Sequence, residues 1–145
     1  MIPYVYDDGG RALAGYRGEA GDCVTRAIAI ATGWEYQTVY DDLWGLDRHR
    51  NGKRAKGPRN GYPIKLVRDY LAAQGWDWTP TMHIGSGCQV HLRADELPPG
   101  PLIVRVTRHL CAVIDGVLYD THDCSRDGTR CVYGYWQPTP KGLTT

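Results

Sequence analysis

The alternation of apolar and polar positions divides the chain into a helical first half and a strand-rich second half. Three stretches of the first half predict helices, namely 23–33, 36–46 and 63–75. The first is a compact run of alanine and isoleucine that ends at a glycine, the residue that commonly follows a helix. The third begins at a proline, places its apolar residues on one helical face and also ends at a glycine.

The pattern becomes strand-like after residue 75 and suggests an antiparallel sheet. The predicted strands are, in chain order, 76–82, 102–107, 110–114, 117–119 and 131–136. Residues 83–101 are expected to form a loop with a turn of helix near 94–97, and residues 137–145 a flexible tail. Helices followed by a sheet predict an α+β fold, and the length of 145 residues fits a single domain spanning 1–145.

The dipeptide at 115–116, Asp-Gly, is a strong signal for a two-residue hairpin turn. Such a turn would place Cys111 opposite Asp120 and His109 opposite His122, with all four side chains on one face of the hairpin. Asp120 would then be the diagonal neighbour of His109, with Cβ atoms about 7–8 Å apart. The register therefore predicts a carboxylate within reach of an imidazole N–H.

Cys23 lies in the first turn of the first predicted helix. Unpaired backbone N–H groups and the positive end of the helix dipole favour a thiolate at this position. A catalytic thiol needs an imidazole partner, and the imidazole needs a third group that orients it. Cys23 as nucleophile, His109 as base and Asp120 as orienting acid supply these roles, and His122 is the second choice for the base.

Three pieces of sequence carry a resemblance to a known family: Asp22-Cys23 with the helix that follows, 109–114 and 117–120. In this order they resemble the papain-like cysteine peptidase superfamily, especially compact bacterial members such as the leader peptidases attached to bacteriocin exporters. The resemblance covers roughly residues 17–123. It implies a papain-like fold and a Cys/His/Asp mechanism through a thioester, acting as a peptidase, isopeptidase or amidase on a peptide or protein without a cofactor.

The sequence departs from that family just before the cysteine. Family members usually place a glutamine there to bind the oxyanion, whereas residues 16–19 of this chain read Tyr-Arg-Gly-Glu. The backbone N–H of Cys23 and the side chain of Arg17 are the candidate donors, with Gln89 as a remote alternative. Because a missing donor costs a factor of about 10² to 10³ in rate, two alternatives stay open: a weak or inactive papain-like binding module and a transglutaminase-like acyltransferase.

Positive charge is concentrated in one segment of a chain whose net charge is only +1. Residues 48–60 contain six lysines and arginines and no acid, which predicts an exposed, mobile loop. Nucleic-acid binding through this loop is one alternative, and a flap that steers an acidic substrate is a second. The chain has neither a signal peptide nor an apolar run long enough to cross a bilayer, so we expect a cytoplasmic protein without membrane contact.

The five cysteines favour free thiols over a disulfide framework, because their number is odd and no secretory signal is present. Structural zinc is an alternative, although none of the spacings forms a paired Cys-x-x-Cys knuckle. The residues that would provide its ligands are Cys88, His91, His122, Cys124 and Cys131. We expect no metal site.

Overall fold

The computed structural model describes residues 2–17, 21–58 and 61–140. The helices are α1 Cys23–Thr32, α2 Tyr36–Asn51 and α3 Ile64–Ala73, and the strands are β1 Tyr4–Tyr6, β2 Trp76–Pro80, β3 Pro101–Val106, β4 His109–Ile114, β5 Val117–Asp120 and β6 Gly134–Pro138. Short 3-10 turns lie at Gly52–Arg54 and Ala94–Glu96. The helices precede most of the sheet, which confirms the α+β class and the helical turn near residue 95.

The six strands form one sheet in the order β1-β5-β4-β3-β6-β2. All neighbouring strands are antiparallel except β1, which runs parallel to β5 at the edge. The sheet is therefore mixed, and the expectation of a purely antiparallel sheet was wrong in this one strand. Three residues, Tyr-Val-Tyr, are too short a run to show a strand pattern, and β1 exists because β5 offers it an edge to pair with.

The hairpin of β4 and β5 has the predicted register. Ile114 pairs with Val117 and Ala112 with Tyr119. Both turn residues have positive φ, 49° at Asp115 and 76° at Gly116, as the favoured two-residue hairpin turns require. The first residue of β4 and the last residue of β5 are therefore diagonal neighbours at one end of the ribbon.

Buried apolar side chains form one cluster on each face of the sheet. The helical face packs Ile28, Val39, Leu43, Val67 and Leu71 from the helices against Ile103, Ala112 and Trp136 from the strands. The opposite face contains Leu92, Val104, Val113, Leu118 and Val132. Alternate residues of β3 and β4 thus enter different clusters, as the period of two demands. Helix α1 packs against β4 and β3, which brings its N-terminus close to the start of β4.

Helix α1 has the predicted limits. The alanines at 27, 29 and 31 and Ile28 are buried, so the helix lies directly on the sheet. Gly33 ends it with a φ of 77°, and its N–H donates to the carbonyl of Ala29. Helix α3 likewise follows Pro63 and is ended before Gly75, whose φ is 85°.

The basic segment 48–60 is not a loop throughout, because residues 48–51 continue α2. The predicted end at residue 46 was wrong, since buried Asp47 stabilises the extra turn. Its carboxylate accepts the amide of Asn51 and the backbone N–H groups of Lys56 and Gly57, the latter two at 3.0 Å. Residues 52–56 remain largely exposed, as predicted, whereas Gly57 and Pro58 are buried because the chain packs on Trp44, and residues 59 and 60 lie outside the described residues.

The C-terminal segment is also more ordered in structure than expected. Gln137 and Pro138 belong to β6, and Pro138 pairs with Trp76 of β2. The N–H of Thr139 donates to the carbonyl of Gly75 at 2.8 Å. The predicted flexible tail therefore does not begin at 137, because β6 must extend this far to pair with β2, and residues 141–145 lie outside the described part.

Two of the five cysteines form a disulfide, Cys88–Cys131, so the expectation of free thiols throughout was wrong. An antiparallel bridge between His91 and Cys131 brings the two chain segments together, with the cysteine Cα atoms 5.8 Å apart. Cys23, Cys111 and Cys124 are free. Within the described ranges, no helix combines the length and the apolar character needed to cross a membrane.

Candidate active site

Cys23 is the first residue of α1, and the N-terminus of that helix has no side-chain cap among the described residues. The first N–H groups of a helix have no partner within the helix. The carboxylate of Asp22, which precedes the cysteine, is used elsewhere and does not bond to them. The thiol therefore lies beside backbone N–H groups that are available to a negatively charged oxygen.

Asp22 instead fixes the turn before the cysteine. Its side chain is 2% exposed and forms an ion pair with Arg11, whose Nε lies 3.0 Å from Oδ2. It also accepts hydrogen bonds from the hydroxyl of Tyr36 at 2.5 Å and from Arg26. Arg26 lies one turn further along α1, and its Nη2 atom is 3.7 Å from Oδ1 of Asp120. This buried network ties the lead-in segment, α1 and the end of β5 to one another.

His109 and Asp120 are in direct contact, as the hairpin register suggested. The His109 Nε2 atom lies 2.5 Å from Oδ2 of Asp120. The other carboxylate oxygen accepts the backbone N–H of Thr121 at 2.7 Å. His109 begins β4 and Asp120 ends β5, so the pair lies at the end of the sheet that faces the N-terminus of α1. Because Nε2 is engaged, Nδ1 is the ring nitrogen left for a thiol.

The thiol of Cys23 and this imidazole line the same cavity. Burial raises the pKa of Cys23, but the hydrogen bond with His109 and the charge of that ring lower it by more. The backbone of Leu110 and the charge of Arg26 act in the same direction. The net result is a pKa below the ordinary thiol value, which favours the thiolate.

The imidazole is held in its charged form. Burial by itself lowers the pKa of His109, but hydrogen bonds with Asp120, Cys124 and Cys23 raise it to about 11. Burial likewise raises the pKa of Asp120, and the contact with His109 outweighs it, so this pKa is lowered. At neutral pH the site therefore contains an imidazolium beside a carboxylate, and the lowered pKa of Cys23 favours the thiolate next to it.

A second thiol, Cys124, was not expected here and lies within 4.8 Å of a ring nitrogen of His109. It is 2% exposed and interacts with the fully buried thiol of Cys111. The hydrogen bond with Cys111 lowers the pKa of Cys124, with His109 adding to the effect, and it raises the pKa of Cys111. The two thiols near the imidazole differ in their access to solvent, because Cys23 lines a cavity and Cys124 is almost completely buried.

The cavity beside Cys23 has a volume of about 390 Å³, at the lower end of the range for ligand pockets. His109 lines it together with Cys23. The remaining walls are mainly apolar and aromatic, with two arginines, and they comprise Val24, Gly61, Tyr62, Ile64, Val67, Arg105, Val106, Arg108 and Leu110. We call this space the Cys23 cavity. A substrate in it would meet the thiol and the imidazole together.

A larger cavity of about 780 Å³ lies beside the Asp22–Arg26 pair and does not include Cys23 or His109. Arg17 and His122 line this second cavity. Although it is larger, it lacks the reactive thiol, so the Cys23 cavity is the better candidate for catalysis. The ring of His122 is 5.2 Å from that of His109, which keeps it next to the site but outside the Cys23 cavity.

The structure does not bring the side-chain candidates for oxyanion binding to the thiol. Arg17 belongs to the other cavity. Gln89 lies in an exposed loop, where its amide donates to the carbonyl of Ser86 at 2.9 Å. The backbone N–H of Cys23 is the donor that the described residues place at the thiol.

The possible metal ligands divide between two places. Cys88 and Cys131 are joined as a disulfide, and the Cys88 sulfur lies 3.6 Å from Nε2 of His91. His122 and Cys124, two of the residues that the zinc alternative would use, lie instead near His109, so the five residues do not form one site. Within the described ranges, His109, Asp120 and Cys124 have ligand atoms within 4.8 Å of one another, a nitrogen, oxygen and sulfur set that suits zinc. Two of these three residues, His109 and Asp120, also form the imidazole–carboxylate pair described above.

Two residues of the site escaped the sequence reasoning. Arg26 had a usable signal, since an acid and a base four residues apart lie on one helix face. Cys124 had no such signal, because it follows β5 in an irregular segment whose path depends on tertiary contacts.

No family model, curated protein or solved structure matches this chain. The functional interpretation therefore depends on the geometry around Cys23.

Proposed function

We propose that this protein is a cysteine-dependent hydrolase that cleaves an amide-type bond of a peptide or protein. Cys23 is the nucleophile, His109 is the general acid and base, and Asp120 orients and charges the imidazole. The observation that carries the proposal is that His109, 2.5 Å from Asp120, lines the same cavity as a thiol at the uncapped N-terminus of α1. The apolar Cys23 cavity gives a substrate access to that thiol.

The chemistry follows from these positions. The Cys23 thiolate attacks the substrate carbonyl carbon, and the carbonyl π electrons move to oxygen, which the backbone N–H of Cys23 stabilises. Imidazolium His109 donates its proton to the leaving nitrogen as the C–N bond breaks, which leaves a thioester. The neutral imidazole then accepts a proton from water as the water attacks the thioester. The C–S bond then breaks, which releases the carboxylic acid and restores the thiolate and the imidazolium; the acid loses its proton to solvent.

The finer assignment to a papain-like fold belongs to the same proposal. A helix that begins with the cysteine packs on the sheet, and the next hairpin carries the histidine and the aspartate. This is the order of elements expected from the resemblance. Neither Arg17 nor Gln89 supplies an oxyanion donor at the thiol, so two alternatives stay open. A binding module would not turn over substrate, and a transglutaminase-like acyltransferase would pass the acyl group to an amine instead of water.

The cytoplasmic location expected from the sequence stays a prediction. The Cys88–Cys131 disulfide favours an oxidising compartment, because structural disulfides persist mainly outside the reducing cytosol.

Brief alkylation with iodoacetamide at pH 6, followed by peptide mass spectrometry, tests the proposal. Cys23 should react faster than Cys111 and Cys124, because it combines a lowered pKa with access to solvent. His109→Gln should slow the labelling of Cys23 by about tenfold or more, since an ordinary thiol with a pKa of about 8.5 is mostly protonated at this pH. Cys124→Ser is the matched control and should leave Cys23 reactive. Equal labelling of all three thiols would argue against an activated Cys23.

A further inference from the structure

The described walls of the Cys23 cavity contain two arginines and no carboxylate. The two arginines are Arg105 and Arg108. An adjoining cavity of about 310 Å³ shares Arg105, adds Arg68 and is also without a carboxylate. The whole chain has 17 lysines and arginines against 16 aspartates and glutamates, so this one-sided lining does not reflect a general excess of basic residues.

Two of the three arginines of these walls, Arg68 and Arg105, lie against aromatic rings, and Arg108 is exposed to solvent. The guanidinium of Arg68 lies 5.0 Å from the ring centre of Trp78, and that of Arg105 lies 5.6 Å from the ring centre of Tyr133. Among the described residues, no carboxylate forms an ion pair with Arg68, Arg105 or Arg108. Stacking on a ring orients a guanidinium without cancelling its charge. The surface around the thiol therefore presents a fixed positive potential.

The walls of the Cys23 cavity are otherwise mainly apolar. Val24, Ile64, Val67 and Leu110 provide aliphatic surface. Burying an apolar side chain against such surface is favourable, at roughly 25 cal/mol for each Å² removed from water. The cavity thus matches an apolar side chain of a substrate.

We infer that the substrate is an acidic peptide that places an apolar residue in the Cys23 cavity and a nearby carboxylate on Arg105 and Arg108. This inference rests on the proposed function, since it assigns a substrate class to the same site. A carboxylate finds two unpaired guanidinium groups at the rim, whereas a lysine or arginine in the substrate would be repelled. The apolar residue provides the contact area, and the carboxylate provides selectivity.

Matched fluorogenic peptides test the inference. Each peptide contains one leucine next to the cleaved bond, and the flanking residues on both sides are either glutamate or glutamine. We expect kcat/KM to be about 5- to 30-fold higher for the glutamate peptides, the range that one or two charge-assisted contacts give at a partly exposed site. Raising the salt concentration should narrow this ratio, because salt screens exposed charges. Equal rates for both sets would overturn the inference.

Arginine variants identify the source of the preference. Arg105→Gln and Arg108→Gln should each reduce the glutamate-to-glutamine ratio, and Arg108→Glu should favour peptides with lysine instead. Arg50→Gln is the matched control, since Arg50 is also exposed but is paired with Asp69 and lies outside both cavities. A preference that survives the changes at 105 and 108 would contradict the proposed contact.

Two further measurements separate this inference from the proposed function. Iodoacetamide is neutral, so its reaction with Cys23 reports the thiolate independently of the arginines. Rapid labelling with no charge preference among peptides would overturn the acidic substrate and leave the hydrolase standing. Calorimetric binding of the same peptides to Cys23→Ala measures selectivity without turnover. Tighter binding of glutamate peptides there would support the inference even if no peptide were cleaved, and equal affinity would contradict it.

Discussion

The Asp120→Asn substitution tests whether the carboxylate keeps His109 charged. Asparagine preserves the size of the side chain and an oxygen that can accept the Nε2–H bond, so the ring can stay oriented. It removes the negative charge that lies 2.5 Å from the imidazole. The substitution therefore separates the electrostatic role of Asp120 from its positioning role.

The size of the effect follows from the surroundings of His109. Against the opposing effect of burial, its pKa is raised from 6.5 to about 11, with Asp120 the strongest of the groups that raise it. An opposite charge at this distance typically contributes about 1 to 3 pKa units. Each unit corresponds to about 1.4 kcal/mol, so the imidazolium should lose about 1.4 to 4 kcal/mol of stabilisation. The pKa of His109 should therefore be lower in the variant, which loses the ring proton at a lower pH than the wild type.

Nuclear magnetic resonance titration of the histidine rings from pH 5 to about 10 measures this pKa without requiring a substrate. His109 of the wild type should stay protonated across most of the range, whereas the Asn variant should titrate within it. Asp115→Asn is the control, because Asp115 lies in the exposed turn of the same hairpin and bonds to the backbone of Gly100. A wild-type His109 that titrates near 6.5, or an equal shift in both variants, would refute the reasoning.

Three other outcomes follow from the structure. Cys124→Ser should lower the pKa of His109 while leaving Cys23 labelling at pH 6 intact, and an unchanged histidine titration would show that Cys124 does not contact the ring. Gly134→Ala should destabilise the protein by about 1–3 kcal/mol in urea unfolding, because a new Cβ would collide with the ring of Trp78; unchanged stability would contradict that packing. Alkylation of denatured protein should modify three cysteines before reduction and five after it, and five before reduction would exclude the disulfide.

The parts of the fold that sequence could predict are those fixed by local chemistry. The Asp-Gly turn at 115–116 defines the register of its hairpin, and a two-residue loop leaves no freedom to shift it. Gly33 ends α1 because the required left-handed conformation strains other residues. The contact between His109 and Asp120 followed from these local rules together with the alternation of side chains in strands.

The parts that sequence could not predict depend on distant partners. Strand β1 has three residues and forms only against β5, and the last residues of β6 are ordered by pairing with β2. The extra turn of α2 depends on the buried carboxylate of Asp47 and on chain that follows it. Likewise, the position of Cys124 beside His109 depends on the path after β5, and residue spacing contains no information about that path.

The candidate oxyanion donors also divide into one that could be placed from sequence and one that could not. The backbone N–H of Cys23 could be placed from sequence, because the first turn of any helix leaves such groups unpaired. The position of Arg17 could not, since it depends on how the lead-in segment wraps around Asp22. Proposals about long side chains in irregular segments therefore need a structure, whereas those about helix termini do not.

The most direct test of the account is to capture the acyl-enzyme. An activated ester with an apolar acyl group, N-acetyl-leucine p-nitrophenyl ester, is mixed with the protein, the reaction is stopped in acid and the adduct is located by peptide mass spectrometry. We predict one acyl group on Cys23 that is lost as hydrolysis proceeds, and no adduct in Cys23→Ala. An adduct on Cys124 instead, or ester hydrolysis that continues unchanged in Cys23→Ala, would contradict the central claim.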